Sequence, residues 1–263
     1  MIIEFPPIKN DILIPLFKSN QFLYILTKTV LNDRLGKVLA DYIDDPKVAL
    51  LSYKVFEIIA GDHEIEAAIE LLKYVTENRL LIFPNEEWTK IASEKLDLTP
   101  YPRIKFSSEK LSIKHIEMLL ERDLPDGFSL QKIDIETVYN FNPKLSPAFL
   151  PFFESPEAMV NRGLGFCIKE EEKVICVAAA GMPIYDDEFE VQVFTDDEPK
   201  YRRKGFATIA SAALIKESLE KGITPHWDAD NEISARLALK LGFTDPIHYN
   251  AYICTRNLIK EEK

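Results

Sequence analysis

The fold is decided by the stretch EFEVQVFTDDEPKYRRKGFATIASAA, which runs from Glu188 to Ala213. Its first eight residues are rich in β-formers and predict a strand from Glu188 to Thr195. An acidic turn follows at residues 196–198, and the alanine-rich end predicts a helix that stops at Gly222. Between turn and helix lies a basic loop with the pattern R-x-x-G-x-A, formed by Arg202-Arg203-Lys204-Gly205-Phe206-Ala207.

A glycine loop that opens a helix is suited to holding an anion. The first N–H groups of a helix lack intrahelical partners, and the helix dipole adds partial positive charge at the same end. Gly205 has no Cβ to block close approach, Ala207 is small, and four cations accompany them: Lys200, Arg202, Arg203 and Lys204. The loop therefore indicates a phosphate site, although an ordinary solvated basic surface would have the same composition.

A second motif lies downstream. It reads HWDADN from His226 to Asn231, continues with Ser234, and ends in LALKLGF at residues 237–243. Together, the two motifs resemble the GCN5-related N-acetyltransferase (GNAT) superfamily, in which a Q/R-x-x-G-x-G/A loop binds the pyrophosphate of acetyl-CoA. The second motif most resembles the branch that includes the zwittermicin-A-resistance acetyltransferase. The resemblance covers about residues 128–254.

The resemblance implies an α/β fold, with a GNAT-like mixed central sheet flanked by helices. It also implies an acetyl-CoA-dependent N-acetyltransferase, with the pantetheine arm of the cofactor along Val193, Phe194 and Thr195. An N–H group of the same strand would then point at the acetyl oxygen as an oxyanion donor. The implied cofactor-binding residues after the strand are Arg202, Arg203, Lys204, Gly205, Phe206, Ala207, Thr208, Asn231 and Ser234.

Acetyl transfer to an amine needs a general base. Glu190 is the first candidate, because strand alternation places it with Gln192 and Phe194 on one face, and a carboxylate in a buried strand has a raised pKa if it is unpaired. A structural glutamate paired with a neighbouring cation is an equal alternative. His226, Asp228 and Asp230 are alternative candidates, although His226 could be structural and Asp228 could instead anchor a cationic substrate.

One position departs from the superfamily. Many members carry a tyrosine in the closing helix that protonates the leaving thiolate, and here that position is Ala238. Ser234 and Tyr252 are alternative donors, and a thiolate, whose conjugate acid has a pKa of about 8.5, can also leave unassisted.

Composition limits the function classes. The 263 residues carry a formal net charge of −11, which argues against nucleic acid or an anionic membrane as the main partner. Three cysteines (Cys167, Cys176 and Cys254) lie in apolar runs and are expected to be buried free thiols in a cytoplasmic protein. No residue pattern indicates a metal site, a signal peptide or a membrane span.

Helical periodicity predicts helices at residues 11–17, 22–41, 64–75 and 86–96 and a helical linker over 108–127. Runs rich in β-formers predict a straight or bent strand at 48–60 and further strands at 80–83 and 102–107. From Phe128 onward we expect a strand, a short helix at 135–140, a helical pair at 146–160, and a hairpin of 165–169 with 174–181. These elements lead into the strand at Glu188.

The N-terminal region reads as a degenerate half-copy of the same fold. Phe56-Glu57 followed by helix, strand, Asn85 and helix mirrors Phe189-Glu190 followed by helix, strand, Asn231 and helix. The segment after Gly61 is Asp-His-Glu and would repel phosphate. A chance recurrence of a common β-α-β-α order is the alternative. We therefore expect residues 1–125 to form an N-terminal helical and degenerate region, and residues 126–263 to form the catalytic domain.

The sequence favours a cytoplasmic N-acetyltransferase that acetylates a small-molecule amine, such as an aminated antibiotic or metabolite. A non-catalytic acyl-CoA-binding sensor and a protein or peptide N-acetyltransferase are the rival hypotheses. No nucleic-acid or membrane partner is expected, and the sequence leaves open whether the chain acts as a monomer or a homodimer.

Overall fold

The computed structural model describes residues 1–18 and 23–260. Their strands are β1 Ile3–Glu4, β2 Lys37–Ala40, β3 Val48–Tyr53, β4 Phe56–Gly61, β5 Leu80–Ile82, β6 Leu96–Ser107, β7 Phe128–Lys132, β8 Gly165–Glu170, β9 Lys173–Ala180, β10 Glu188–Thr195, β11 Thr224–Ala229 and β12 Thr244–Asn257. Their helices are α1 Ile14–Phe17, α2 Tyr24–Asn32, α3 Glu66–Leu72, α4 Glu86–Ser93, α5 Ile113–Leu120, α6 Ile135–Tyr139, α7 Leu145–Phe149, α8 Pro156–Arg162, α9 Phe206–Glu220 and α10 Glu232–Leu241.

The chain divides into two compact units. The first contains Met1–Arg103 and the C-terminal segment from His248, and the second contains Ile104–Ile247. The two units are defined by the contacts that each makes within itself. The expected functional division between residues 125 and 126 stays a prediction.

The first unit is built on the strand order β1-β2-β3-β4-β5-β12. Among the described strand pairs of this unit, only β4 and β5 are parallel, and they are joined through α3. Its core contains buried aliphatic residues of β3–β5 and α3 together with the fully buried Trp88 of α4. Asn85 caps α4, because its Oδ1 accepts a hydrogen bond from the Trp88 N–H at 2.9 Å.

The second unit has a mixed sheet in the order β6-β11-β10-β9-β8-β7, with β6 contributing its last residues from Ile104. The pair β10–β11 is parallel and the other pairs are antiparallel. Alternate residues of β9 enter two different cores. Cys176 and Ala178 pack with α5, α9 and α10, whereas Val177 and Ala179 pack with α6, α7 and α8. The expected mixed sheet flanked by helices is therefore confirmed.

The prediction of one helix over 22–41 is wrong. Its first residue lies outside the described part of the chain, α2 ends at Asn32, and residues 37–40 form β2. Arg34 and Gly36 adopt positive φ angles and turn the chain, after which Val38 pairs with Leu51 of β3. In residues 37–40, pairing with β3 determines the conformation, although the apolar residues have helical spacing.

Two other boundaries differ from expectation. The single strand predicted over 48–60 is a hairpin of β3 and β4, turned at Lys54 with a φ of 53°. The helix predicted over 86–96 ends at Ser93, and the following strand begins at Leu96 rather than at residue 102. None of the described helices combines the length and apolar composition that crossing a bilayer requires.

Candidate active site

The candidate catalytic side chains lie on one face of the second unit's sheet. In β10, Phe189 and Val191 are buried in the core formed with α9, so Glu188 and Glu190 point to the opposite face. In β11, Trp227 and Ala229 are buried in the same core, which places His226 and Asp228 on that opposite face too. Alternation along two adjacent strands thus collects the candidates on one surface.

Glu190 and His226 are direct neighbours across the parallel pair. The register places Glu190 opposite His226 and Glu188 opposite Thr224. The Nε2 atom of His226 lies 3.7 Å from Oε1 of Glu188, and both side chains are about one-third exposed or less (27% and 32%). Sequence reasoning did not single out Glu188. The E-F-E pattern at residues 188–190 could have revealed it, since side chains alternate along a strand and both carboxylates therefore lie on one face.

Asp228 has a different neighbour. Its register partner in β6 is Lys105, and directly opposed charges on neighbouring strands attract each other. Asp228 thus shares the face of Glu190 and lies opposite a cation.

Strands β10 and β11 separate beyond Glu190 and His226. Their pairing ends there, while β10 continues beside β9 to Thr195 and β11 continues beside β6 to Ala229. Within the described chain, no strand pairs with the β11-facing edge of β10 after Glu190. The Gly181 N–H donates to the Glu190 carbonyl across the β9 side. Successive peptide groups alternate in direction, so the backbone groups of Val191, Val193 and Thr195 face the opening.

After β10 the chain continues through the basic loop to the N-terminus of α9, which no side chain caps. Gly205 occupies the N-cap position with a φ of 86°, a left-handed conformation that strains any residue with a Cβ. The first backbone hydrogen bond runs from the Ile209 N–H to the Gly205 carbonyl. The N–H groups of residues 206–208 thus have no partner in the described chain, and such an end can receive an anion.

The loop cations fall into two groups. Lys200 forms an ion pair with Glu170 at 3.0 Å, and Tyr201 donates a hydrogen bond to the same carboxylate at 2.6 Å. Arg202, Arg203 and Lys204 are exposed and make no ion pair with any described residue. Lys200 therefore anchors the loop to the β8–β9 hairpin, and the other three cations remain available to an anionic ligand.

Several predicted cofactor-binding residues have structural roles for their side chains. The Phe206 ring is buried against Phe128, with centroids 4.8 Å apart. Thr208 accepts a hydrogen bond from Lys240 at 3.2 Å. Asn231 caps α10 by accepting from the Ser234 N–H at 2.9 Å, and the Ser234 hydroxyl accepts from the Trp227 indole at 3.0 Å. Phe206 and Thr208 keep backbone N–H groups for a ligand, and the cofactor contacts of all four residues stay predictions.

The opposite edge of the candidate site is held by α7. Gln192 lies on the same face as Glu190 and donates a hydrogen bond from Nε2 to the Ala148 carbonyl at 2.8 Å. Phe194 packs against the core that contains Phe149. These contacts fix α7 over the second half of β10, a role of Gln192 that the sequence did not reveal.

The position of the superfamily tyrosine is Ala238, which is fully buried and carries no donor. Of the two alternative acids, Ser234 accepts a hydrogen bond from the Trp227 indole at 3.0 Å. Tyr252 pairs with Leu81 within the first unit, and its ring lies 5.7 Å from that of Phe83. Protonation of the thiolate by Ser234 or Tyr252 stays a prediction.

The cysteines behave as small apolar residues. All three thiols are free and buried, and burial raises the pKa of Cys167 to about 11 and that of Cys176 to about 12. High thiol pKa values keep these groups protonated and unreactive near neutral pH. No cluster of three His, Cys, Asp or Glu side chains suited to a metal ion occurs among the described residues.

Comparison with known proteins gives consistent results. Residues 15–252 match the model of the family described as GNAT acetyltransferase. The chain is similar to the uncharacterized N-acetyltransferase YdfB of Bacillus subtilis (strain 168), with 26% identity over 229 residues, which is 82% of this chain and 85% of that protein.

Solved structures show the same likeness. A GCN5-related N-acetyltransferase-like protein from Streptococcus suis 89/1591 superimposes with a TM-score of 0.77 and 25% identity, covering 94% of this chain and 98% of that one. A GNAT-family acetyltransferase from Colwellia psychrerythraea gives a TM-score of 0.63 at 10% identity, covering 97% and 100% of the two chains. The second comparison shows the fold alone.

Proposed function

Because the chain belongs to the GNAT acetyltransferase family, we propose that it transfers an acetyl group from acetyl-CoA to the amine of a small molecule. N-acetyltransferase activity follows from the family, which generally uses acetyl-CoA. The observation that carries the proposal for this site is the separation of β10 and β11 beyond the Glu190–His226 pair, on the strand that the basic loop and the uncapped start of α9 follow in the chain.

The donor would be held by backbone groups. The outward-facing N–H and C=O groups of Val191, Val193 and Thr195 suit an amide-containing arm that adds to the strand edge. The N–H groups at the start of α9, with the three unpaired loop cations, suit a pyrophosphate. Acetyl-CoA supplies the activated thioester when bound.

Glu190 is the proposed general base. It lies beside the opening and next to His226, which in turn lies near Glu188. In this arrangement, Glu190 takes a proton from the ammonium form of the acceptor and then releases it to solvent, either directly or by way of the neighbouring His226. The amine then has a free lone pair for attack on the acyl carbon.

The acceptor is proposed to be a small cationic amine. Glu188, Glu190 and Asp228 give the catalytic face three carboxylates in a region with Lys105 as a counter-charge. Carboxylates attract a protonated amine and orient it. The resemblance of the second motif to an antibiotic-resistance branch supports an aminated antibiotic or metabolite, by analogy alone. The three buried free cysteines suit a reducing cytoplasm, where we place the reaction.

An acceptor screen that monitors release of the CoA thiol tests this proposal. A panel of di- and polyamines, aminoglycosides and lysine-containing peptides would be offered with acetyl-CoA to the wild-type protein. We expect turnover with at least one small amine. Binding of acetyl-CoA without turnover would favour the sensor hypothesis, and turnover with peptides alone would favour a peptide-modifying enzyme.

A further inference from the structure

Arg122 lies over the proposed phosphate loop although it is more than eighty residues away in sequence. A Cβ added to Gly205 would lie 3.0 Å from Nη1 of Arg122 and 3.2 Å from its Cζ. The guanidinium therefore sits directly against the glycine that begins α9.

The position of Arg122 is set by helix packing. It follows α5, whose Ile116 is buried in the same core as Ile209 and Ile215 of α9. Glu117 of α5 pairs with Lys216 of α9 at 3.5 Å, whereas Arg122 meets Gly205. The two helices thus run in opposite directions, which brings the C-terminal end of α5 to the N-terminal end of α9.

The environment of Arg122 lacks a carboxylate partner. Arg122 is exposed and makes no ion pair with the described residues. The same holds for Arg202, Arg203 and Lys204 in the loop that ends at Gly205. In a chain with 43 acidic and 32 basic residues, four unpaired cations at one helix start indicate that an anion completes the site.

We propose that Arg122 is a further binding residue for the acyl donor, and that its guanidinium contacts the pyrophosphate held at the start of α9. The inference rests on the proposed function and deepens it. The planar guanidinium can donate two parallel hydrogen bonds to phosphate oxygens, in addition to those from the uncapped N–H groups at the start of α9. The loop motif does not include this residue, because α5 supplies it.

Calorimetry with acetyl-CoA tests the inference. Arg122→Ala should raise the Kd for acetyl-CoA about ten-fold, and Arg122→Lys should raise it less because a point charge remains. The matched control is Lys114→Ala, which removes one exposed positive charge from the first turn of the same helix and should leave the Kd within about two-fold. Thermal unfolding midpoints would show that the three variants are folded.

Two donor analogues locate the contact. S-acetylpantetheine lacks the pyrophosphate, so Arg122→Ala should not change its affinity, as read by ligand-observed NMR. Acetyl-dephospho-CoA keeps the pyrophosphate, so the loss on mutation should persist with it. Equal losses with S-acetylpantetheine, no loss with acetyl-dephospho-CoA, or an unchanged Kd for acetyl-CoA would each overturn the inference. If the wild-type protein did not bind acetyl-CoA, the proposed function would fail as well.

Discussion

Glu57 and Glu190 occupy matching places in the two units but have different surroundings. Each lies on a strand that pairs in parallel with the next strand, opposite Leu81 and His226 respectively. Glu57 is fully buried and accepts hydrogen bonds from the Thr76 N–H at 3.0 Å and the Ser52 hydroxyl at 3.2 Å. Glu57 therefore serves the structure of its unit, whereas Glu190 faces an opening beside a titratable partner.

Glu190→Gln tests the proposed base. The amide keeps the shape of the carboxylate but cannot accept a proton, so kcat should fall about 10²–10⁴-fold. The Kd for acetyl-CoA should stay unchanged, because the proposed donor contacts are backbone groups and cations elsewhere. Steady-state rates on an acceptor found in the screen, with calorimetry alongside, give both quantities. Glu172→Gln, in the exposed β8–β9 turn, is the control. A near-normal kcat would transfer the role to His226 or Asp228.

Glu57 should make the stability of the protein depend on pH. Burial, the largest effect on it, raises the pKa of Glu57, although hydrogen bonds from Thr76 and Ser52 and the charge of Arg79 oppose the shift. Ionisation is therefore less favourable in the folded chain than in the unfolded one. The stability contribution is greatest below the unfolded pKa of about 4.3 and is lost as pH rises through the folded value.

The measurement is the unfolding midpoint of Glu57→Gln minus that of the wild type. This difference should become more positive between pH 4 and pH 7, because the glutamine cannot ionise. Glu64→Gln changes an exposed carboxylate nearby and should give a flat difference. A flat difference for Glu57→Gln as well would show that its ionisation is not linked to folding.

The role of the loop before α9 can be tested by substituting Gly205, with Gly222 at the other end of the same helix as the control. Gly205 at its start and Gly222 just past its end both have positive φ angles, 86° and 72°. A Cβ at Gly222 would meet nothing within 4 Å. Gly205→Glu and Gly222→Glu should each cost about 1 kcal/mol of stability through backbone strain. Only Gly205→Glu places a carboxylate at the proposed phosphate site, so only it should abolish acetyl-CoA binding. If Gly205→Glu bound acetyl-CoA with the affinity of the wild type, the loop would not be the phosphate site.

Local patterns predicted most elements of the second unit. Alternation in β10, hairpin spacing in β8–β9 and the closing glycine of α9 act over a few residues, so sequence alone reveals them. The errors occurred where distant pairing decides the conformation, as in β2, whose Val38 needs Leu51 of β3. Arg122 was missed for a related reason, because only the packing of α5 on α9 brings it to Gly205.

The two units share the order strand, antiparallel strand, helix, parallel strand, helix. In each of them an asparagine caps the last helix of the series, Asn85 for α4 and Asn231 for α10. This similarity supports the interpretation of the N-terminal region as a half-copy, which stays a proposal.

The first unit differs where the second is proposed to bind its donor. After β4, the Trp88 indole donates a hydrogen bond to the Gly61 carbonyl at 2.7 Å, and the ring is fully buried. The short connection to α3 carries the exposed Asp62 and Glu64. The indole thus takes the backbone carbonyl at that strand end, and the carboxylates would repel phosphate. The first unit should therefore bind no acetyl-CoA of its own.

Binding of the acyl donor is tested by a calorimetric titration of the wild-type chain with acetyl-CoA. We expect saturable binding of one acetyl-CoA per chain, which is lost in Gly205→Glu. Two molecules per chain would contradict the structural role of the first unit. No binding at all would show that the opening between β10 and β11 does not hold an acyl donor.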